Sequence, residues 1–413
     1  MTEPVPPSRS RRGKNGSAAR RGQFQCVALL LQGGGALGAY QGGVFQALAE
    51  ADLQPDWVAG ISIGAINAAI IAGNPPEKRV AQLRAFWERI TGRPLSDWAV
   101  TWAGDGKAAT GVGAMTMGLL DQLSAFHTMV AGAPGFFEPR LQPPWLSPAG
   151  SAEATSLYDT SALKTTLEAL VDFDRINSKA MRFSVGAVNV RTGNFVYFDT
   201  QTDKIRPEHI LASGALPPGF PAIEIEGERY WDGGLVSNTP LHWVVDDEPR
   251  QDMLAFQVDL WSARGAFPCN LTDVAVRLKE IQYSSRTRAA TDRLKRLQRT
   301  RSALTTLLRD LPEGLRDSAA AKLLGEFADL KAYNIVQLIY RTRQYEGNSK
   351  DYEFSRSSMI DHWRAGFDDA VRALRHPEIF ERPCDEDGFR SFDFQDETSA
   401  GHHPIHPQEE SRS

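Results

Sequence analysis

Hydrophobic positions follow two alternating patterns in the N-terminal half. Phe24 to Gln32 is an almost unbroken apolar run, the pattern of a strand buried on both faces. Gly33 to Gly38 reads as a loop. In Ala39 to Glu50 the apolar residues Val44, Phe45, Ala47 and Leu48 recur at helical spacing. Asp56 to Gly60 predicts a second strand and Ala65 to Ala72 a second helix, ended by Pro75-Pro76. Glu77 to Thr91 predicts a third helix, with Val80, Leu83, Phe86, Trp87 and Ile90 on one face. A β-loop-α-β-turn-α series of this kind predicts a parallel sheet with helices on both faces.

Gly, Ala, Met, Trp and Pro dominate from Gly92 to Thr160, and the segment reads as an insertion: a lid or acyl-binding wall, or a packed excursion. Asp159-Thr-Ser161 marks a capped helix start. Strands are predicted at Phe183–Val190, Phe195–Asp199, Ile223–Ile225, Arg229–Trp231 and Met253–Leu260. Beyond Pro268 the pattern becomes helical and basic, over Leu271–Asp310. A helix at Arg316–Lys331, a strand at Tyr333–Arg341 and a helix at Ser355–Leu374 follow. The expected organisation is a disordered basic tail (1–23), a catalytic domain (24–265, with the insertion at 92–160), a helical extension (266–380) and a disordered acidic tail (381–413).

Composition narrows the possibilities. A chain of 413 residues with 42% hydrophobic content can bury a sizeable core. The net charge of -5 makes nucleic acid an unexpected partner. Cys26, Cys269 and Cys384 lie far apart and read as reduced intracellular thiols, so a cytoplasmic location is expected. Two uncharged runs, Gly22–Ala49 and Trp57–Pro76, reach membrane-spanning length. Gly33-Gly34-Gly35 would leave backbone groups unpaired in lipid, so a buried α/β core explains these runs better. Peripheral membrane contact has two candidates: the basic tail, and the basic segment 271–310 with Arg293, Arg296 and Arg299. The stripe Leu294, Leu297, Leu304, Leu307, Leu308 and Leu311 in that segment favours packing, on the core or on a partner helix. His402, His403 and His406 read as a solvated tail, and neither a metal nor a cofactor is expected.

Chemistry gathers at Gly60-Ile-Ser-Ile-Gly64, a G-x-S-x-G pentapeptide between predicted strand and predicted helix. That context suits a nucleophile elbow, with Gly60 and Gly64 allowing strand and helix to approach around Ser62. Gly33-Gly-Gly-Ala-Leu-Gly38 has two readings. As G-x-G-x-x-G, with Asp52 or Asp56 near ribose-binding distance, it suits a dinucleotide and an oxidoreductase. As consecutive N–H groups at a helix N-terminus facing Ser62, it suits an oxyanion. Asp232, in Asp232-Gly233-Gly234, ends a short strand and enters a Gly-Gly turn. A turn-initiating Asp is its plain reading, but burial can raise a carboxylate toward a useful base. None of the eight histidines sits in a compelling setting, so a Ser-Asp dyad is physically possible, with a histidine triad as its variant.

Taken together, Gly33–Gly38, Gly60–Gly64, Asp232–Gly234 and the block Ala212-Ser-Gly-Ala-Leu-Pro-Pro-Gly-Phe-Pro221 resemble the patatin-like phospholipase family. The resemblance covers about Gln25 to Val258. It implies a three-layer α/β/α fold with a mostly parallel central sheet, and a lipid acyl hydrolase that uses no metal. By position, it implies Ser62 as nucleophile and Asp232 as base. Gly33, Gly34, Gly35 and Gly38 would form the oxyanion loop, with N–H groups from Gly34 and Gly35. A catalytically silent lipid-binding scaffold is the alternative. The chain departs from the family at Leu37, where many members carry Arg or Lys, which leaves a neutral ester or other acyl substrate open. The stretch Tyr345–Phe354 resembles the C-terminal extension of a bacterial subgroup, for which the resemblance implies no activity.

Overall fold

In a computed structural model of the chain, the described residues are 21–91, 128, 130–284, 287–341, 350–384 and 387–394. Residues 1–20 of the basic tail, the insertion residues 92–127 and the histidine tail lie outside them, as does the first half of Tyr345–Phe354. The first half runs β1 (Cys26–Leu31), α1 (Ala39–Glu50), β2 (Trp57–Ile61), α2 (Ile63–Ala72) and α3 (Pro76–Ile90). A small hairpin of β3 (Glu138–Pro139) and β4 (Tyr158–Asp159) precedes α4 (Ser161–Leu170). Then come β5 (Arg182–Asn189), β6 (Phe195–Asp199), α5 (Pro207–Ser213), β7 (Ile223–Ile225), β8 (Glu228–Asp232) and β9 (Met253–Asp259). The C-terminal part adds α6 (Leu271–Tyr283), α7 (Thr287–Asp310), α8 (Ala319–Phe327), β10 (Tyr333–Ile339), α9 (Arg356–Ala373) and β11 (Phe389–Phe392).

The nine-stranded sheet has the order β11-β10-β9-β1-β2-β5-β8-β7, with β6 also paired to β5. From β11 to β5 every pairing is parallel, and β6, β8 and β7 join antiparallel. Side chains alternate across it with the period of two that a strand imposes. Val27, Leu29, Leu31, Val58, Leu254 and Phe256 pack under α1, α2, α3 and α9. Cys26, Ala28, Leu30, Trp57, Ala59 and Met253 face the other way, against Leu241, Val244 and Leu294. The result is three layers, α/β/α, as the apolar runs predicted.

Four expectations change. The boundary near 265 does not divide the sheet, because β10 and β11 extend it through β9. Residues 389–392, assigned to the tail, form β11, which pairs in register with β10 through Tyr333 and Phe389. The tail's overall acidity hid the aromatic residues at its start: Phe389 is buried, and the Phe394 ring stacks on His376 with centroids 3.8 Å apart. The predicted helix at 271–310 is two helices, and Arg316–Lys331 contracts to α8, whose start Ser318 fixes by accepting the Ala321 N–H (3.2 Å). On α7, Leu294, Gln298 and Arg301 are buried and Arg301 pairs with Asp246 (3.2 Å), while Arg293, Arg296 and Arg299 stay exposed. Among the described residues no helix is long and apolar enough to cross a membrane.

The C-terminal region closes on the N-terminal half through α9 and α1. Tyr40 Oη donates to Asp369 (2.8 Å) and Trp363 Nε1 to Gln46 (2.7 Å). A Cβ on Gly366 would lie 2.0 Å from the Tyr40 carbonyl oxygen, so the two backbones touch. Gly366→Leu is therefore expected to push α9 off α1 and cost about 1–3 kcal/mol, read as a lower urea midpoint with the slope unchanged.

Candidate active site

The glycine loop begins where β1 ends, and a buried polar side chain anchors it. Gln32 Oε1 accepts the N–H groups of Leu260 (2.6 Å) and Trp261 (3.0 Å), which ties the ends of β1 and β9 together. Next, the Gly33 carbonyl accepts from Trp261 Nε1 (3.0 Å) and Asn238 Nδ2 (3.1 Å). In a trans peptide the carbonyl and the following N–H point in opposite directions. The Gly34 N–H is thus turned away from these two donors. Among the described residues no acceptor takes the N–H of Gly34 or Gly35. The loop then enters a short 3-10 turn, Gly35–Gly38, and the N-terminus of α1, whose positive end suits an anion.

Ser62 sits between β2 and α2 with φ 56° and ψ -124°, a strained conformation for a residue with a side chain. Two hydrogen bonds hold it there. The Ser62 N–H donates to Ser213 Oγ (2.9 Å), and Ser213 Oγ donates to the Gly186 carbonyl (2.6 Å). The elbow needs bare backbone on both sides. A Cβ on Gly60 would meet the Gly64 carbonyl at 2.3 Å, and one on Gly64 the Leu31 carbonyl at 2.3 Å.

Asp232 reaches Ser62 along the edge of β5. One edge of β5 is taken by β6 over Ser184 to Val188. The other edge carries β2 up to the pair Ile61–Gly186, and β8 from the pair Asp232–Ala187. β2 and β8 therefore meet end to end, and Asp232 lies at the junction that Ser62 leaves. Asp232 is 3% exposed, and its carboxylate accepts the Gly234 N–H (2.7 Å). Burial pushes its pKa up to about 6, against the opposing effect of hydrogen bonds from the Ser62 side chain and the Gly234 N–H.

Both residues line an open cavity of about 80 Å³. Its walls are aromatic: Phe136 and Phe137 from the insertion, Phe220, and Phe354 from the C-terminal region, with ring centroids 5.3–6.2 Å apart. Gly33, Gly34, Gly35 and Gly234 line it as well, but Gly38 does not. Gly38 instead backs onto Ile63 and Trp87, and its carbonyl accepts from Asn67 Nδ2 (3.0 Å). Gly233 packs beside the Gly186 carbonyl.

A family model described as patatin-like phospholipase matches residues 29–244, more than half of the chain. The chain belongs to the patatin-like phospholipase family. A second model, described as patatin phospholipase, matches residues 281–386. No curated protein matches. Among solved structures, VipD from Legionella pneumophila is similar at 15% identity with a TM-score of 0.36, covering 86% of this chain and 67% of that one. Membership in the family supports lipid acyl hydrolase activity in general.

The competing sequence readings fare differently in this patatin-like chain. Asp56 bonds the Val27 N–H (2.8 Å) near the start of β1, at the end of the strand away from the glycine loop, so it cannot serve a ribose there. Among the described residues no histidine lines the cavity. His209 caps α5 by accepting the Arg206 N–H (2.9 Å), and His362 packs against the Tyr340 ring. Leu37 is fully buried in the core and points no group into the cavity. Among the described residues no cluster of three or more His, Cys, Asp or Glu could hold a metal. Sequence reasoning missed the supporting roles of Ser213, Asn238 and Trp261. Ser213 lies inside the block Ala212–Pro221, but no spacing rule reveals a bond across 151 or 205 positions.

The Asp232 shift has a stability consequence. Its ordinary value of 3.8 rises to about 6 in the fold, so the folded state binds more protons between those values. Stability contributed by this group is present below about 4 and is lost as pH rises through about 6, by about 3 kcal/mol in total. Asp232→Asn is expected to raise Tm most above about pH 7, with the gain shrinking between about pH 6 and 4. A thermal-melt series over pH checks this.

Proposed function

We propose that the chain hydrolyses lipid acyl esters with Ser62 as nucleophile and Asp232 as its base. The carrying observation is the meeting of a strained serine and a buried carboxylate beside loop N–H groups, inside an aromatic-walled cavity. In the first half-reaction Asp232 takes the Ser62 hydroxyl proton as Oγ attacks the ester carbonyl carbon. Charge develops on the carbonyl oxygen, where the N–H groups of Gly34 and Gly35 stabilise it, each by roughly 3–4 kcal/mol. Collapse breaks the ester C–O bond, and the proton passes from Asp232 to the departing alcohol. In the second half-reaction Asp232 deprotonates a water that attacks the acyl-serine, and the acid leaves with Ser62 restored. A carboxyl near 6 is ionised at neutral pH yet basic enough to accept the proton.

The acyl chain fits against Phe136, Phe137, Phe220 and Phe354. Among the described residues the ionisable side chains lining the cavity are Asp232, Asp351, Tyr283 and Tyr352, with no cation. That supports an uncharged ester over an anionic phospholipid. The family's general activity is compatible with either.

Purified protein is expected to hydrolyse p-nitrophenyl acyl esters and to be labelled at Ser62 by a fluorophosphonate. Ser62→Ala should lose more than about a thousandfold in kcat; a variant that keeps its activity refutes the assignment. kcat/KM should fall on the acid side with an apparent pKa near 6, since the protonated carboxyl accepts nothing. A pH–rate profile flat from about pH 5 to 8 would remove Asp232 from the base role.

A further inference from the structure

Residues 350–354 run between the sheet and α9 and belong to neither, yet they touch the glycine loop directly. The Asp351 carbonyl accepts the Ala36 N–H (2.9 Å). Contact is so close that a Cβ on Gly35, whose φ is +57°, would lie 2.2 Å from that oxygen. The Asp351 side chain is gripped in turn by α6: Lys279 Nζ reaches its two carboxylate oxygens at 2.9 and 3.1 Å. Lys279 also lies 4.8 Å from the Tyr352 ring centroid. Beside it, Lys350 Nζ donates to Glu280 (2.9 Å) and sits over the Trp261 ring (5.1 Å). Trp261 is the residue that holds the Gly33 carbonyl. The end of α6 reaches the same network, since the Tyr283 carbonyl accepts from Asn238 (2.9 Å) and Gln32 (3.2 Å).

The glycine loop is therefore held at both ends. Trp261 and Asn238 fix its first carbonyl, and Asp351 fixes the N–H just past the two glycine donors. We infer that the C-terminal region is a working part of the active site: residues 350–354 strap the glycine loop in place, and the Lys279–Asp351 pair latches the strap to α6. This rests on the reading that the loop stabilises an oxyanion. Lys279 and Asp351 are positioning residues here. Oxyanion donors act only within a few tenths of an ångström of their place, so loosening the strap weakens the transition state and leaves ground-state binding alone.

The test uses the full chain with Asp351→Asn, Lys279→Met and the conservative Lys279→Arg, assayed on p-nitrophenyl acyl esters. Each is measured at a temperature where circular dichroism shows it folded. Asp351→Asn keeps the backbone carbonyl and decides the matter if Lys279→Met does not fold. The first two variants are expected to lose up to about 100-fold in kcat, with KM within about twofold of wild type. Fluorophosphonate labelling of Ser62 should slow in parallel, and Lys279→Arg should recover most of the rate. A raised KM at unchanged kcat would make Asp351 a substrate contact and overturn the strap. Wild-type kcat in both variants would overturn it too. A wild-type protein that neither hydrolyses ester nor takes the label overturns the hydrolase reading along with the strap.

Discussion

A single strand edge governs this site. β5 can accept only one neighbour at each point of its free edge, and it accepts β2 and β8 in succession. Because they run in opposite directions, the C-terminal ends of both arrive at the same place. Ser62 follows the last residue of one and Asp232 is the last residue of the other. A shift of β8 by one residue would turn Asp232 to the other face of the sheet. The antiparallel pairs at this end of an otherwise parallel sheet are what bring a residue from the second half of the domain to the elbow.

That placement costs stability locally. Ser62 holds a backbone conformation that side-chain-bearing residues avoid, and Asp232 keeps a carboxylate out of water. The surroundings over-determine both. Ser213 bridges the Ser62 N–H to β5, and Gly234 supplies a donor to the carboxylate. The fully buried strands β1, β2 and β9 provide the rigid background against which such strain persists. The same burial that penalises the Asp232 charge raises the basicity of its carboxylate.

The C-terminal region is woven into this arrangement. Its strands extend the sheet, α9 lies on α1 at backbone contact, and residues 350–354 with α6 surround the glycine loop. The cavity wall itself is assembled from three distant stretches, around Phe136, Phe220 and Phe354. A boundary drawn at the change of composition near 265 misses this. Composition records what a segment is made of, whereas the sheet records where its backbone hydrogen bonds go.

The sequence alone determined the features that depend on near neighbours. Continuous apolar runs gave the parallel strands, helical spacing gave α1 and α3, and the order of the glycine loop, G-x-S-x-G and Asp-Gly-Gly gave the family. Period and turn chemistry are local, so they can be read without a structure. What tertiary structure decided are the contacts between residues far apart in the chain. It set Gly38 against Ile63 and Trp87 and buried Leu37 in the core, because the loop coils into a helical turn from Gly35 onward. It gave Asn238 and Trp261 the Gly33 carbonyl, and Asp351 the Ala36 N–H, since each bond joins segments that only the folded sheet brings together. It also raised the pKa of Asp232, because desolvation belongs to the surroundings and not to the residue.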